Sequence, residues 1–348
     1  MTDDASGRAD DGARDFDVAV VGGGPGGLTA ALYTTRLGLD TVLIDRGGGR
    51  AAMMQETHNV IGVPETVSGN EFLATARDQL ETYGTVLVRG LVTGLEATPD
   101  ADRAFALEAN DDRYAADRVV LATGFTDGRP KPPLPRTGRG LHYCLHCDAY
   151  LFVDEPVYVM GHGESAAHVA MIMLNFTDEV DLLLRGDEPT WSEETDRQLR
   201  AHPVDIVEAE VDGIENGEDG WLEAITFEDG TRRPYRGGFA MYGSDYRHEL
   251  AEAVGCELHD DGTVAVDDHG ETSVPGVYAV GDLTPGHNQI PVALGDGAKA
   301  GLAIHQALRP FPRPLEAIEA EGAVDPATVP AISTALREHV AEHAAHGD

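Results

Sequence analysis

Lysine is almost missing from this 348-residue chain: Lys131 and Lys299 are the only two, and arginine brings the basic total to 25 against 61 acidic residues. The formal charge of −36 repels polyanions, which argues against nucleic acid and anionic membrane surfaces as partners. So one-sided a composition suits strong salt, where the Debye length shrinks to about 3 Å near 1 M, and a salt-loving host is expected. Long apolar runs are missing too. None reaches the roughly 18–20 positions that a membrane span needs, and residues 1–17 are acidic with no apolar h-region, so a soluble, cytoplasmic protein is expected. Cysteine is scarce: three residues cannot build a disulfide framework. Two of them, Cys144 and Cys147, stand at Cys-x-x-Cys spacing, whereas Cys256 is alone and reads as a small buried apolar residue.

The length suggests two domains, each with its own core. Residues 1–15 lack periodicity and are expected to form a disordered acidic tail, with structure starting near Phe16. The apolar run Asp17 to Val21, the glycines that follow, helical spacing over Leu28 to Leu37 and the run Thr41 to Ile44 predict a β-α-β unit. The same signals return 139 positions later, from Gly22 to Gly161: a strand over Val157 to Met160, a glycine turn, a helix from about Ser165 to Asn175 and a strand over Val180 to Leu184. Further strands are predicted over Arg118 to Thr123 and Val277 to Val280, with a helix from about Val292 to Leu308. The proline-rich stretch Arg129 to Pro135 reads as a crossing between domains, and residues 321–348 as a surface helix or tail without chemistry.

Gly22-x-Gly24-x-x-Gly27 lies between a strand and a helix, where glycines permit a tight turn and bring a helix N-terminus to a pyrophosphate. Asp45, 18 positions beyond Gly27 at the end of the next strand, can accept from a ribose hydroxyl. Leu121-Ala122-Thr123-Gly124 follows another strand, and Tyr278-Ala279-Val280-Gly281-Asp282 closes one far downstream. In Cys144-Leu145-His146-Cys147-Asp148 two thiols can close a disulfide within one turn, and redox chemistry is favoured over half of a zinc site because no second Cys-x-x-Cys exists. No metal is therefore expected. His146 reads equally as a cation that acidifies the flanking thiols and as a solvent-facing side chain.

These ordered motifs, over residues 16 to 310, resemble the low-molecular-weight thioredoxin reductase family of flavoproteins. The resemblance implies an α/β fold of two Rossmann-like dinucleotide-binding domains, a nicotinamide-type domain (128–245) inserted into an FAD domain (16–127 and 246–320). Hinges are implied near 124–135 and 243–248, and a homodimer is expected. It implies FAD as cofactor, with Asp282 on its diphosphate or ribityl groups, Gln289 and Ile290 against the ring, and His58 and Asn59 in the flavin-facing region. Cys147 then faces the flavin, Cys144 exchanges with substrate, and Asp148 protonates a leaving thiolate. A thioredoxin-like protein disulfide, or a small disulfide or dithiol, is the implied substrate.

The chain departs from the family's pattern at His146, inside the cysteine pair, and in two further places. Gly48-Gly49-Arg50-Ala51 stands where the family has Gly-Gly-Gln-Leu. The second loop, Gly161-His162-Gly163 with Ala166, resembles the family's nicotinamide site, yet of the basic cluster that grips a 2′-phosphate there only Arg185 remains, with Asp187 and Glu188 behind it. Electrons could therefore come from NADPH, NADH or ferredoxin, or run from a substrate dithiol to oxygen as in gliotoxin-type dithiol oxidases. A flavin-binding redox sensor is the non-enzymatic alternative, against which Asp148 argues. If self-repulsion governs stability, the melting temperature should climb steadily between about 0.1 and 1 M KCl as the Debye length falls from about 10 to 3 Å; a flat response would remove that reading.

Overall fold

The computed structural model describes residues 12–345, in two compact units. The first comprises the chain up to Ala52, Ser68–Phe125 and the part from Tyr246 onward, and the second comprises Met53–Val67 and Thr126–Asp245. The stretch Met53–Val67 was expected with the first unit from its place in the sequence; it groups instead with the second. The chain crosses between the units in two short strands, Phe125–Asp127 and Ser244–Tyr246, that pair with each other.

The first unit is built on β1 (Arg14–Val21), α1 (Pro25–Arg36), β2 (Thr41–Asp45), α2 (Gly69–Thr82), β3 (Val86–Arg89), β4 (Val92–Ala97), β5 (Phe105–Ala109) and β6 (Asp112–Leu121). The sheet order is β3-β2-β1-β6-β5-β4. β1 pairs in parallel with β2 and β6, and the long β6 divides its other edge. Its first half pairs antiparallel with β5, while Val119–Leu121 pairs in parallel with the late strand Val277–Ala279. Because side chains alternate across a strand, Val18 and Val20 face a core with Leu28, Ala31, Leu43 and Ile304, while Ala19 and Val21 face another with Ile44, Leu107 and Val277. Burial on both faces explains the near-continuous apolar runs in β1 and β2.

β1 starts two residues earlier than the sequence suggests. Arg14 and Asp15 pair with Tyr114 and Ala115 of β6, and the Arg14 guanidinium lies 5.8 Å from the centroids of Phe16 and Tyr114. The expected disorder of residues 1–15 is corrected for Arg14 and Asp15, and its first eleven residues lie outside the described residues. At the other end, the helix Thr334–Ala345 docks on the first unit. The Ser333 amide donates to the Gly38 carbonyl at 2.9 Å, and His339 packs edge-on against Tyr83 with centroids 5.1 Å apart.

The second unit repeats the β-α-β register of the first. Its parallel sheet runs in the order Val204–Val207, Val180–Leu183, Val157–Met160, Gly237–Ala240 and Leu141–His142, joined by an antiparallel three-stranded meander over Val211–Asn216, Leu222–Phe227 and Arg232–Pro234. Val18 pairs with Thr41, and Val157 with Val180, so the 139-residue offset holds in space as well as in sequence. Among the described residues no helix is long and apolar enough to cross a membrane.

α1 and the helix Ile290–Leu308 touch through glycines. A side chain on Gly297 would strike the Gly26 carbonyl oxygen and lie 2.9 Å from Thr29 Cβ, and one on Gly301 would lie 2.7 Å from Tyr33 Cβ. Gly297→Val should therefore lower the urea midpoint at fixed high salt by an amount equivalent to about 1–3 kcal/mol, with the slope unchanged. A midpoint like that of the parent would show that the two helices do not depend on this approach.

Candidate functional site

Four strand ends converge at the first glycine loop. The Gly22 amide donates to the Ile44 carbonyl at 2.9 Å, the Ala122 amide to Val21 at 2.8 Å and the Val280 amide to Leu121 at 3.0 Å. Gly22 sits at φ +106°, and a Cβ there would strike the Ala122 carbonyl; one on Gly27 would strike the Gly22 carbonyl. Only glycine lets the chain turn this tightly. Gly24, by contrast, has open space where its side chain would be. It is the N-cap of α1, with no side chain capping the helix and no acid in the first turn. The amides of that turn and the positive end of the helix dipole are thus offered to an anion, the arrangement that receives a pyrophosphate.

Asp45, at the end of β2, lies against this loop: a Cβ on Gly23 would be 2.7 Å from its carboxyl carbon. Its carboxylate is held by Arg77, Nη2 to Oδ2 3.1 Å, a partner from α2 that the sequence pattern did not single out. On the far side of the loop, Thr123 Oγ1 donates to the Arg247 carbonyl at 2.7 Å, and Gly124 takes φ +62° with its open side 3.8 Å from Asp282 Cβ. Arg50 donates from Nη1 to Asp282 Oδ2 at 3.2 Å while its guanidinium stacks 4.5 Å over Phe125. The departure at Arg50 is therefore a structural element of the cradle, supplying the cation that orients Asp282. Burial raises the Asp296 carboxyl above the usual range, while Lys299 and a hydrogen bond with the Gly281 backbone pull it back. Gln289 caps a second helix start, Ile290–Leu308, with Pro291 in the first turn.

The cradle thus holds Gly22, Gly24, Gly27, Asp45, Thr123, Gly124, Gly281, Asp282, Gln289 and Ile290 in one unit. It fits FAD in its donor set: an uncapped helix N-terminus for the pyrophosphate, a carboxylate at a strand end for the adenosine ribose, and a second carboxylate at the Gly281 turn for the ribityl side. Asn59 falls in the stretch grouped with the other unit, and the cradle described here is built without it. His58 there donates or accepts at 3.1 Å with Glu56 and meets Tyr150 edge-on at 5.5 Å.

Cys144 and Cys147 are joined as a disulfide with Cα atoms 5.3 Å apart. Cys144 is the N-cap of a single helical turn, Leu145–Asp148, and its carbonyl accepts from the amides of Cys147 at 3.2 Å and Asp148 at 3.3 Å. His146 is exposed on that turn. The structure pairs Nδ1 of His142, the last residue of the strand Leu141–His142, with Asp148 Oδ2 at 2.7 Å. His142 ends a strand and Asp148 ends a helical turn, so no single period relates them and the pairing was invisible in the sequence. Cys256 is buried as expected, 3.3 Å from Thr272 Oγ1, and burial pushes its thiol pKa up.

The second glycine loop has the turn but not the openness of the first. A Cβ on Gly161, at φ +147°, would lie 2.6 Å from the Met241 carbonyl and 2.8 Å from Ala166 Cβ, and Gly163 caps the helix Glu164–Met173. That helix carries an acid in its first turn. Glu164 accepts from Thr195 Oγ1 and from the Ser192 amide, both at 2.6 Å, and these bonds hold its carboxyl below the usual range. The segment that supplies these donors also reaches the loop itself, the Thr190 amide donating to the His162 carbonyl at 2.7 Å. Arg185, expected to meet a nucleotide, is only 3% exposed. It donates to Glu210 from Nε at 2.8 Å and to the Lys131 carbonyl from Nη1 at 2.6 Å. The 139-residue offset puts buried Leu184 where Asp45 stands in the first unit, so no carboxylate occupies the ribose-reading position.

The sequence profile of the family described as "Pyridine nucleotide-disulphide oxidoreductase" matches residues 16–297. The chain is similar to a thioredoxin reductase of Aquifex aeolicus, 29% identical over 84% of this chain and 93% of the relative. Among solved structures, a thioredoxin reductase from Streptococcus pyogenes superposes with a TM-score of 0.77 at 29% identity, over 85% of this chain and 99% of that one. A protein named HlmI also superposes with a TM-score of 0.77 at 29% identity, over 87% of this chain and 94% of the other.

The open space at Gly24 permits a test that separates folding from cofactor binding. Gly24→Asp adds a good N-cap to α1, so the flavin-free protein should be no less stable than the parent and should gain about a few tenths of a kcal/mol. The same carboxylate would face a pyrophosphate held at this helix start, and FAD affinity should then fall at least about 100-fold, read by flavin released on ultrafiltration. Retained yellow colour at parent affinity would place the pyrophosphate elsewhere.

Proposed function

Because the chain belongs to the pyridine nucleotide-disulphide oxidoreductase family and is an FAD-dependent disulfide oxidoreductase of the thioredoxin reductase type, we propose that its substrate is a thioredoxin-like protein disulfide or a small disulfide. The observation that carries this reading is the Cys144–Cys147 disulfide, set at the start of a helical turn that ends in Asp148. FAD, when bound, supplies the two-electron step that connects a reductant to sulfur.

The chain's own residues do the rest. The cradle from Gly22 to Gly27 holds the pyrophosphate, Asp45 the adenosine ribose, and Asp282, steadied by Arg50, the ribityl side. The Cys144–Cys147 bond takes up an electron pair and two protons and becomes a dithiol. Cys144 attacks the substrate disulfide as its thiolate, forming a mixed disulfide and releasing one substrate thiolate. Cys147 then attacks Cys144 Sγ, which restores the internal disulfide and releases the second substrate thiol. Asp148 hands protons to the leaving sulfur. In this reading Cys147 is the flavin-side sulfur, and the active form is a homodimer in the cytoplasm.

The second loop bears on the electron source. With Arg185 engaged by Glu210, Leu184 at the ribose position and Glu164 at the helix start, nothing there rewards a 2′-phosphate. Anaerobic mixing at high salt with NADPH, NADH or a dithiol tests this, with flavin bleaching as the readout. NADPH should hold no more than about a tenfold advantage over NADH, since no charge-assisted bond is available to the extra phosphate. A preference of about a thousandfold for NADPH would contradict it. Bleaching by dithiol alone, reversed by oxygen, would mean that electrons run from substrate to oxygen.

A further inference from the structure

His142 is the last residue of the strand Leu141–His142, held in register by Phe239 of the neighbouring strand. Its side chain is 4% exposed and walled by rings: Phe152 edge-on at 5.2 Å, Phe239 at 6.0 Å and Trp221 stacked at 6.3 Å. Trp221 is itself stacked by the Arg236 guanidinium, 4.2 Å from the ring centroid. One polar contact serves this imidazole, Nδ1 to Asp148 Oδ2 at 2.7 Å, and Nε2 has no hydrogen-bond partner among the described residues.

That asymmetry fixes the tautomer. An imidazolium, or the neutral form protonated at Nε2, would bury an N–H donor among aromatic rings without an acceptor, a cost of about 1–3 kcal/mol. With the proton on Nδ1, the ring donates to the Asp148 carboxylate and leaves only a bare lone pair at Nε2. The aromatic walls then prevent the ring from turning, so the hydrogen bond locks the carboxyl of the residue that directly follows Cys147.

Resting on the disulfide chemistry proposed above, we propose that His142 is a positioning residue for thiol-disulfide exchange: its Nδ1–H pins Asp148 Oδ2 so that the other carboxyl oxygen carries a proton to the departing sulfur. The step balances. Cys144 as thiolate forms a bond to one substrate sulfur while the substrate S–S bond breaks. The departing substrate thiolate takes a proton from Asp148, which regains one from the Cys147 thiol as that sulfur becomes the second nucleophile. The electron pair stays with sulfur throughout.

Leaving-group acidity separates this role from a structural one. An aromatic disulfide such as 5,5′-dithiobis(2-nitrobenzoate) releases a thiolate too acidic to need a proton, whereas 2-hydroxyethyl disulfide releases an alkyl thiolate that does. FAD-loaded protein, reduced with dithionite under argon, is mixed with each, and the ratio of alkyl to aromatic rate constants is compared between variants. His142→Phe keeps the ring packing and removes the donor; the ratio should fall at least about tenfold, with KM for the alkyl disulfide little changed. His142→Asn retains an N–H and should recover part of it. Adding His142→Phe to Asp148→Asn should change the ratio no further, because both act through one carboxyl. An equal slowing of both substrates, no slowing of either, or an undiminished effect in the Asp148→Asn background would overturn the assignment. If His142→Phe does not fold, His142→Leu, which also lacks a donor, takes its place in the same ratio with the same deciding outcomes. Failure of the parent to reduce either disulfide would instead remove the proposed function itself.

Discussion

Two carbonyl oxygens set the geometry on which the first unit depends. Gly22 and Gly27 close against the backbone at Ala122 and at Gly22 itself, so that β1 turns into α1 within a few residues while the ends of β2, β6 and Val277–Ala279 arrive at the same point. That turn aims α1's first amides outward, and the Gly26–Gly297 approach brings the second helix start, at Gln289, alongside. Any Cβ at these contacts forces strand ends and helix starts apart, which is a larger disturbance than loss of a side-chain contact.

The second unit shows what the same geometry does when its electrostatics change. Its strand, glycine turn and helix occupy the same register at an offset of 139 residues, and both helices start at a glycine with no side-chain cap, yet the charged groups around the two turns differ. α1 begins without an acid, whereas the helix Glu164–Met173 begins with one, bound to Ser192 and Thr195. Asp45 corresponds to Leu184. The next position is arginine in both, but Arg185 turns inward to Glu210. A shared fold therefore carries different charge at its two glycine turns, decided by a few side chains.

Much of this was legible in the sequence, because it rests on glycine spacing and strand periodicity. Both β-α-β units, the late helix and the Cys144/Cys147 pair were found where expected, with boundaries off by a few residues. β1 was read two residues short because Arg14 and Asp15 are polar, and only their pairing with β6 makes them strand. Contacts between residues distant in the chain were not legible. Arg185 reads as a nucleotide-facing cation, but it takes φ +57° and its guanidinium engages Glu210, 25 positions on. The Arg50–Asp282 pair spans 232 positions, and His142 meets Asp148 across a turn with no regular period. The grouping of Met53–Val67 with the second unit likewise depends on tertiary contacts that no local pattern encodes.

In the proposed function the flavin and the sulfurs at 144 and 147 form one two-centre electron store. An anaerobic dithionite titration of the FAD-loaded protein measures it directly. Full reduction should consume one electron pair more than the bound flavin accounts for, and that surplus should vanish when both cysteines are replaced by serine. Uptake equal to that of the flavin alone in the parent protein would contradict it.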